Sequence, residues 1–148
     1  MTVYAKAYAQ ASYAAVATVK TDGAGRYQLQ VRPTKQTAYG ANVGDARSPV
    51  INVRVYTRVN VSRPTPGTSV SNPVTFAGGL VPGYVRVPVG LGYFADGRFI
   101  VLAQAPTDGD GAFTITTRVP TGRHAFVVFT SAHQGSDRGA KSLTLTVQ

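Results

Sequence analysis

Two short clusters in the second half of the chain carry the residue types that do chemistry. Asp108 and Asp110 alternate with Gly109 and Gly111, and alternating carboxylates converge on hard cations in calcium loops. The pattern stops there. No acidic residue stands at the twelfth loop position, and an earlier copy of the stretch has Ala24 where Asp110 stands. A turn requiring positive φ accounts for both copies, so no metal site is expected. His124 and His133 lie near Ser131, Ser136 and Asp137. A Ser, His and Asp catalytic set needs three side chains in mutual hydrogen-bond reach, and no nucleophile-elbow motif accompanies these. Ordinary loop residues are the expectation. All six acidic residues are Asp, mostly in turn-like stretches, which disfavours a paired-carboxylate hydrolase. With no Cys, the chain has no disulfide, thiol nucleophile or thiolate metal ligand. The reading is a non-enzymatic protein without a cofactor.

Charge and aromatic residues supply the binding candidates. The net charge is +9; residues 1–62 carry 8 basic and 2 acidic groups, and residues 63–148 carry 7 and 4. Arg26 and Arg32 share one predicted strand face, and Arg54 and Arg58 share another. Such stripes suit an anionic polymer, including cell-wall teichoic acid, acidic polysaccharide or nucleic-acid phosphate. The reading placed ahead of this is that they serve solubility and the protection of strand edges. Sequence-specific nucleic-acid recognition is not expected, because no recognition helix or RNA-binding aromatic motif is present. Tyr4 and Tyr8 are expected on one face of the opening strand, with Tyr93 near the second copy's counterpart. These rings are candidates for contact with a partner or a sugar, although rings more often fill a core.

The elements holding these residues come from a repeat. Thr21, Asp22, Gly23, Ala24, Gly25, Arg26 and Tyr27 align at an offset of 86 with Thr107, Asp108, Gly109, Asp110, Gly111, Ala112 and Phe113. Val16 to Lys20 aligns with Leu102 to Pro106, and Tyr8 with Phe94. With one inserted residue, Pro33 aligns with Pro120 and Tyr39 with Phe126; Ser48 is then matched with Ser142. Alternation of period two dominates, which indicates strands with one buried and one wetted face. Tyr27, Leu29 and Val31 alternate with polar residues, as do Phe113, Ile115, Thr117 and Val119. The longest alternation, Val53 to Val61, is long enough to close one sandwich and begin the next. A domain junction is therefore placed near Ser62, followed by a turn or linker of Arg63, Pro64, Thr65, Pro66 and Gly67. The expected domains are 1–62 and 63–148.

The first copy has no counterpart of the stretch from Ser62 to Arg86, so its domain is expected to lack its first two strands. Such a sandwich exposes edge groups and core side chains, which invites pairing with another chain. Three explanations stand: excision from a longer repeat array, strand donation by a neighbouring subunit, or a smaller variant closed by other means.

Thr21, Asp22, Gly25, Arg26 and Tyr27, then Val31, Pro33, Thr37 and Tyr39, then Ser48, Pro49, Val50, Val53 and Val55 resemble the closing strands of bacterial immunoglobulin-like or fibronectin-like repeats. The closest resemblance is to those of secreted and surface proteins from high-GC Gram-positive bacteria, a setting that 11 Arg against 4 Lys also fits. The resemblance implies two tandem antiparallel β-sandwich domains serving as a structural, spacer or adhesive part of an extracellular or surface assembly. It implies self-association or contact with neighbouring repeats. It also admits a carbohydrate or anionic-polymer binding module of a secreted enzyme, or a virion decoration or tail protein. Tyr39 resembles the tyrosine that anchors a corner in such sandwiches, although the second copy has Phe126 there. Residues 1–20 lack the basic start and unbroken apolar core of a signal peptide, and no apolar run suits membrane insertion.

Overall fold

The computed structural model describes residues 1–62, 64 and 73–147; all its strand ladders are antiparallel, and no described residue is helical. The chain forms two compact units: Met1–Val55 with Gln134–Ser136, and Tyr56–His133 with Asp137–Gln148.

Unit 2 holds seven strands: β6 (Arg58–Val61), β7 (Val74–Val81), β8 (Pro88–Ala95), β9 (Arg98–Pro106), β10 (Ala112–Thr117), β11 (Gly122–Thr130) and β12 (Gly139–Val147). They make a three-stranded sheet in the order β10-β7-β6 and a four-stranded sheet in the order β12-β11-β8-β9. The first, second and fifth strands thus face the third, fourth, sixth and seventh, the arrangement of an immunoglobulin or fibronectin-like sandwich. The expected fold class is observed here. Alternation builds the core: Val74, Phe76 and Leu80 of β7 and Phe113 and Ile115 of β10 meet Val89 and Leu91 of β8 and Phe126 and Val128 of β11. Phe76 and Phe126 approach with ring centroids 5.7 Å apart. They join the second and sixth strands, where antibody domains use a disulfide.

Unit 1 holds β1 (Thr2–Ala7), β2 (Ala14–Thr18), β3 (Thr37–Val43), β4 (Ala46–Arg47) and β5 (Ile51–Val53) in one sheet. β3 pairs β1 on one side and β4 and β5 on the other. Ser48, Pro49 and Val50 separate β4 from β5, and Ser48 spans the break: its N–H donates to the Ala41 carbonyl and its Oγ accepts from the Ala41 N–H, both at 2.8 Å. The order β2-β1-β3 with β4 and β5 beyond repeats the order β9-β8-β11-β12 of unit 2. Unit 1 therefore has the four-stranded layer. Counterparts of β6 and β7 are not among its described residues.

The repeat reaches the level of single hydrogen bonds. Asp22 Oδ1 accepts from the N–H groups of Ala24 and Arg26 at 2.9 and 2.8 Å. Asp108 Oδ1 accepts from those of Asp110 and Ala112 at 3.0 and 2.9 Å. Gly25 and Gly111 close the two turns at φ 78° and 81°. An edge-strand bulge also recurs. Val16 in β2 and Leu102 in β9, 86 residues apart, are the residues skipped in their ladders.

Several expectations are corrected. Val53 to Val61 is not one strand, because β5 joins the sheet of unit 1 and β6 pairs β7 in unit 2. The division falls at Val55 and Tyr56, inside the run, whereas the sequence places the junction near Ser62. Of the expected linker, Arg63, Thr65, Pro66 and Gly67 lie outside the described residues, and Pro64 is buried. Ser48 is not the equivalent of Ser142. Tyr39 pairs with Ile51 and Phe126 with Leu143, so the ladders equate Ile51 with Leu143. The segment 26–31 follows its turn as its counterpart does, yet it forms no strand, whereas Ala112–Thr117 is β10. The reason is topological: β10 owes its ladder to β7.

The β1–β2 hairpin departs from β8–β9 for a local reason. Asp96 and Gly97, at φ 49° and 74°, make the two-residue turn between β8 and β9. That turn needs positive φ at both positions, which Asp-Gly tolerates. Gln10 and Ala11 occupy the same place in the first copy. The hairpin there opens into a loop from Tyr8 to Tyr13, held by the Ala7 N–H donating to Gln10 Oε1 at 2.8 Å. Ala17 pairs Val3, but its counterpart Ala103 pairs Leu91 rather than Val89. A slip of two residues keeps each side chain on its own face.

Candidate functional site

The face of the unit 1 sheet that corresponds to the core face of unit 2 carries Val3, Ala5, Tyr39, Ala41, Ile51 and Val53. Antiparallel pairing aligns Val3 with Ala41, Ala5 with Tyr39, and Tyr39 with Ile51. Among the described residues of unit 1, the segment 26–31 stands against it, and Tyr27, Leu29 and Val31 point inward because period-two alternation survives without a ladder. These three and Val3, Tyr39, Ile51 and Val53 line an apolar groove of ≈ 210 Å³. Tyr27 is 42% exposed and Ile51 63%. The counterpart of Tyr27, Phe113, is only 4% exposed, and Ile115, the counterpart of the half-buried Leu29, only 2%; Leu143, the counterpart of Ile51, is half-buried. The difference is β7, whose Val74, Phe76 and Leu80 are buried in the core of unit 2. The described residues of unit 1 leave open the space that β6 and β7 fill in unit 2.

Other faces place the candidates read from sequence. Arg26 and Arg32 are exposed at the ends of the segment that carries Tyr27, Leu29 and Val31. Arg54 follows β5 in unit 1 and Arg58 lies in β6 of unit 2, so the two do not share a strand. Tyr4 is half-buried on the outer face of the unit 1 sheet. With Tyr13, Asn42, Arg47, Ser48 and Val50 it lines a hollow of ≈ 380 Å³. Tyr8 does not share the strand face of Tyr4, because β1 ends at Ala7. Its N–H donates to the Gln36 carbonyl at 2.8 Å, and its ring rests against Gly135, where any Cβ would collide with it. Tyr93 packs against the unit 2 core, 5.3 Å from His124 and 5.9 Å from Phe126 between ring centroids. Exposed rings of unit 2 include Tyr56, and Phe94 and Phe99, which lie 5.0 Å apart at the Asp96–Gly97 turn.

The polar clusters are engaged in building turns. Asp108 holds its turn through Oδ1 as Asp22 holds the first one, although the first copy has Ala24 for Asp110. His124 Nε2 donates to the Thr121 carbonyl at 2.7 Å, and His133 Nδ1 to the Ser131 carbonyl at 2.6 Å. Ser136 Oγ donates to the Val55 carbonyl at 3.1 Å within unit 1. The Asp137 carbonyl accepts from the Thr57 N–H at 3.2 Å within unit 2. Among the described residues, no three His, Cys, Asp or Glu side chains group in a way that would hold a metal ion. No helix of the described residues is long and apolar enough to cross a membrane.

Leu29, Val31, Ile51 and Val53 carry neither charge nor ring, so residue type alone does not mark them as site residues. Their signal is the alternation of Tyr27, Leu29 and Val31 in the copy whose described residues include no counterparts of β6 and β7. No protein-family model matches the chain, and no curated protein matches it in sequence. Among solved structures, the selenomethionine-substituted chicken interferon gamma receptor alpha chain overlays with a TM-score of 0.46 at 11% identity, covering 99% of this chain and 84% of that one. The sandwich assignment rests on the strand order of unit 2.

Proposed function

We infer that this chain is a non-enzymatic structural or adhesive module of an extracellular or surface assembly, and that unit 1 is completed by β-structure from a neighbouring chain. The observation that carries this reading is the open groove of Tyr27, Leu29, Val31 and Ile51, whose equivalent in the same chain is closed. Covering one large apolar side chain contributes roughly 1.5–3 kcal/mol, so a partner that covers several offsets much of the cost of association. The 11 Arg against 4 Lys support a high-GC bacterial origin for such a surface module. Sedimentation velocity from low to high micromolar concentration tests the reading. Reversible association is expected, and Leu29→Arg with Ile51→Arg is expected to abolish it. A compact monomer at every concentration whose amides at residues 26–31 are as strongly protected from exchange as those of 112–117 would overturn it.

A second reading, carbohydrate binding, draws on the outer hollow, where Tyr4 and Tyr13 stand with Asn42 and Arg47. Two rings beside amide and guanidinium donors suit a sugar. Retention on wall polysaccharide that falls in Tyr4→Ala, with the far-UV spectrum intact, would support it; unchanged retention would remove Tyr4.

A further inference from the structure

Building on that reading of unit 1, we propose that its groove accepts one kind of element: a single extended strand with the side-chain pattern of β7, antiparallel to residues 26–31. The chain contains its own template. In unit 2, β10 pairs β7 with Phe113 opposite Gly78, Ile115 opposite Phe76 and Thr117 opposite Val74. Tyr27, Leu29 and Val31 stand 86 residues before those three, leave the same Asp-held turn, and keep the same inward alternation.

The register of β7 then states what the strand must carry. A large apolar residue lies opposite Leu29, as Phe76 lies opposite Ile115, and a smaller one opposite Val31. Glycine is expected opposite Tyr27. A Cβ on Gly78 would stand 2.8 Å from the tip of the Phe113 ring, and a tyrosine ring is no smaller than a phenylalanine ring. Two positions further on, the Leu80 N–H donates to the Gly111 carbonyl at 3.0 Å. The carbonyl of Gly25 is the matching acceptor in the first turn. Added strands gain affinity from main-chain hydrogen bonds and specificity from alternate side-chain pockets. The occupant is therefore an uncharged strand of a partner chain reading apolar, any, aromatic, any, Gly, any, apolar. The folded second copy is not the donor, because Phe76 is fully buried in its own unit 2.

The test uses the full chain and a synthetic peptide of residues 73–82. Calorimetry is expected to give one peptide per chain, and amide exchange is expected to slow at residues 26–31. Peptides carrying Phe76→Asp or Gly78→Val are expected to bind at least about tenfold more weakly, a difference of about 1.4 kcal/mol. Leu29→Arg in the chain is expected to abolish binding, and the peptide variants decide the matter should that substitution unfold unit 1. Absence of binding, equal binding of all three peptides, or protection at 112–117 in place of 26–31 would overturn the proposal. A chain that self-associates but ignores the peptide removes this proposal and leaves completion by a neighbour standing. A chain that is always monomeric, ignores the peptide and protects residues 26–31 as strongly as 112–117 removes both.

Discussion

At the scale of single residues, the two copies of one turn provide a matched pair. Gly25 and Gly111 have the same left-handed conformation, but a Cβ on Gly25 meets open space while one on Gly111 would lie 2.6 Å from the Gly83 Cα. Gly25→Ala should cost only the conformational penalty of about 1–2 kcal/mol. Gly111→Ala adds overpacking and should cost roughly 2–5 kcal/mol. Urea unfolding followed by circular dichroism measures both, and equal losses would contradict the claim that the first turn has nothing packed on it. Phe76→Ala should cost about 3–5 kcal/mol, as loss of a fully buried ring between the two sheets. Turn chemistry was legible in the sequence at this scale, because Asp-Gly-Ala-Gly and Asp-Gly-Asp-Gly both keep the capping Asp and the closing Gly while Ala24 stands in for Asp110. The roles of Tyr8 and Tyr93 were not. One sits just past a strand end and the other packs against a core, and both placements depend on strand ends that periodicity locates poorly.

For the elements, the lesson is that alternation announces a strand but not its partner. Val53 to Val61 alternates without interruption, yet its halves serve different sheets. The segment 26–31 alternates as well as Ala112–Thr117 does, yet a strand needs a ladder, and only the second has β7 beside it. The contrast makes a prediction. Ile115→Ala should destabilise by about 2–5 kcal/mol, as for any buried Ile. Its counterpart Leu29→Ala should cost less than about 1 kcal/mol in the dilute chain, since the half-buried side chain faces an open groove. Comparable losses, measured by denaturant titration, would mean that the groove is already filled. The repeat shows in the sequence that nothing before Thr2 corresponds to the stretch from Ser62 to Arg86, and counterparts of β6 and β7 are not among the described residues of unit 1. The slipped β1–β2 register was not legible there, because it follows from Gln10 and Ala11 failing to make the tight turn that Asp96 and Gly97 make.

For the whole molecule, net charge and the open apolar face act in opposite directions. At +9, copies of the chain repel one another, while the groove draws them together without regard to charge. Added salt screens the repulsion over about 10 Å at 0.1 M. Self-association through the groove should therefore strengthen as sodium chloride rises. Retention on a phosphate polymer through Arg26 and Arg32 would weaken instead, so sedimentation and retention across the same salt series separate the two uses of the surface.

Backbone amide exchange of the dilute chain reads the open face most directly, with residues 26–31 compared against 112–117 in one experiment. The N–H groups of β10 that pair with β7 should exchange orders of magnitude more slowly than their counterparts 86 residues earlier, which should exchange nearly as an unstructured peptide does. Equal, strong protection of both segments would show the first copy to be as closed as the second and would remove the reason for a partner.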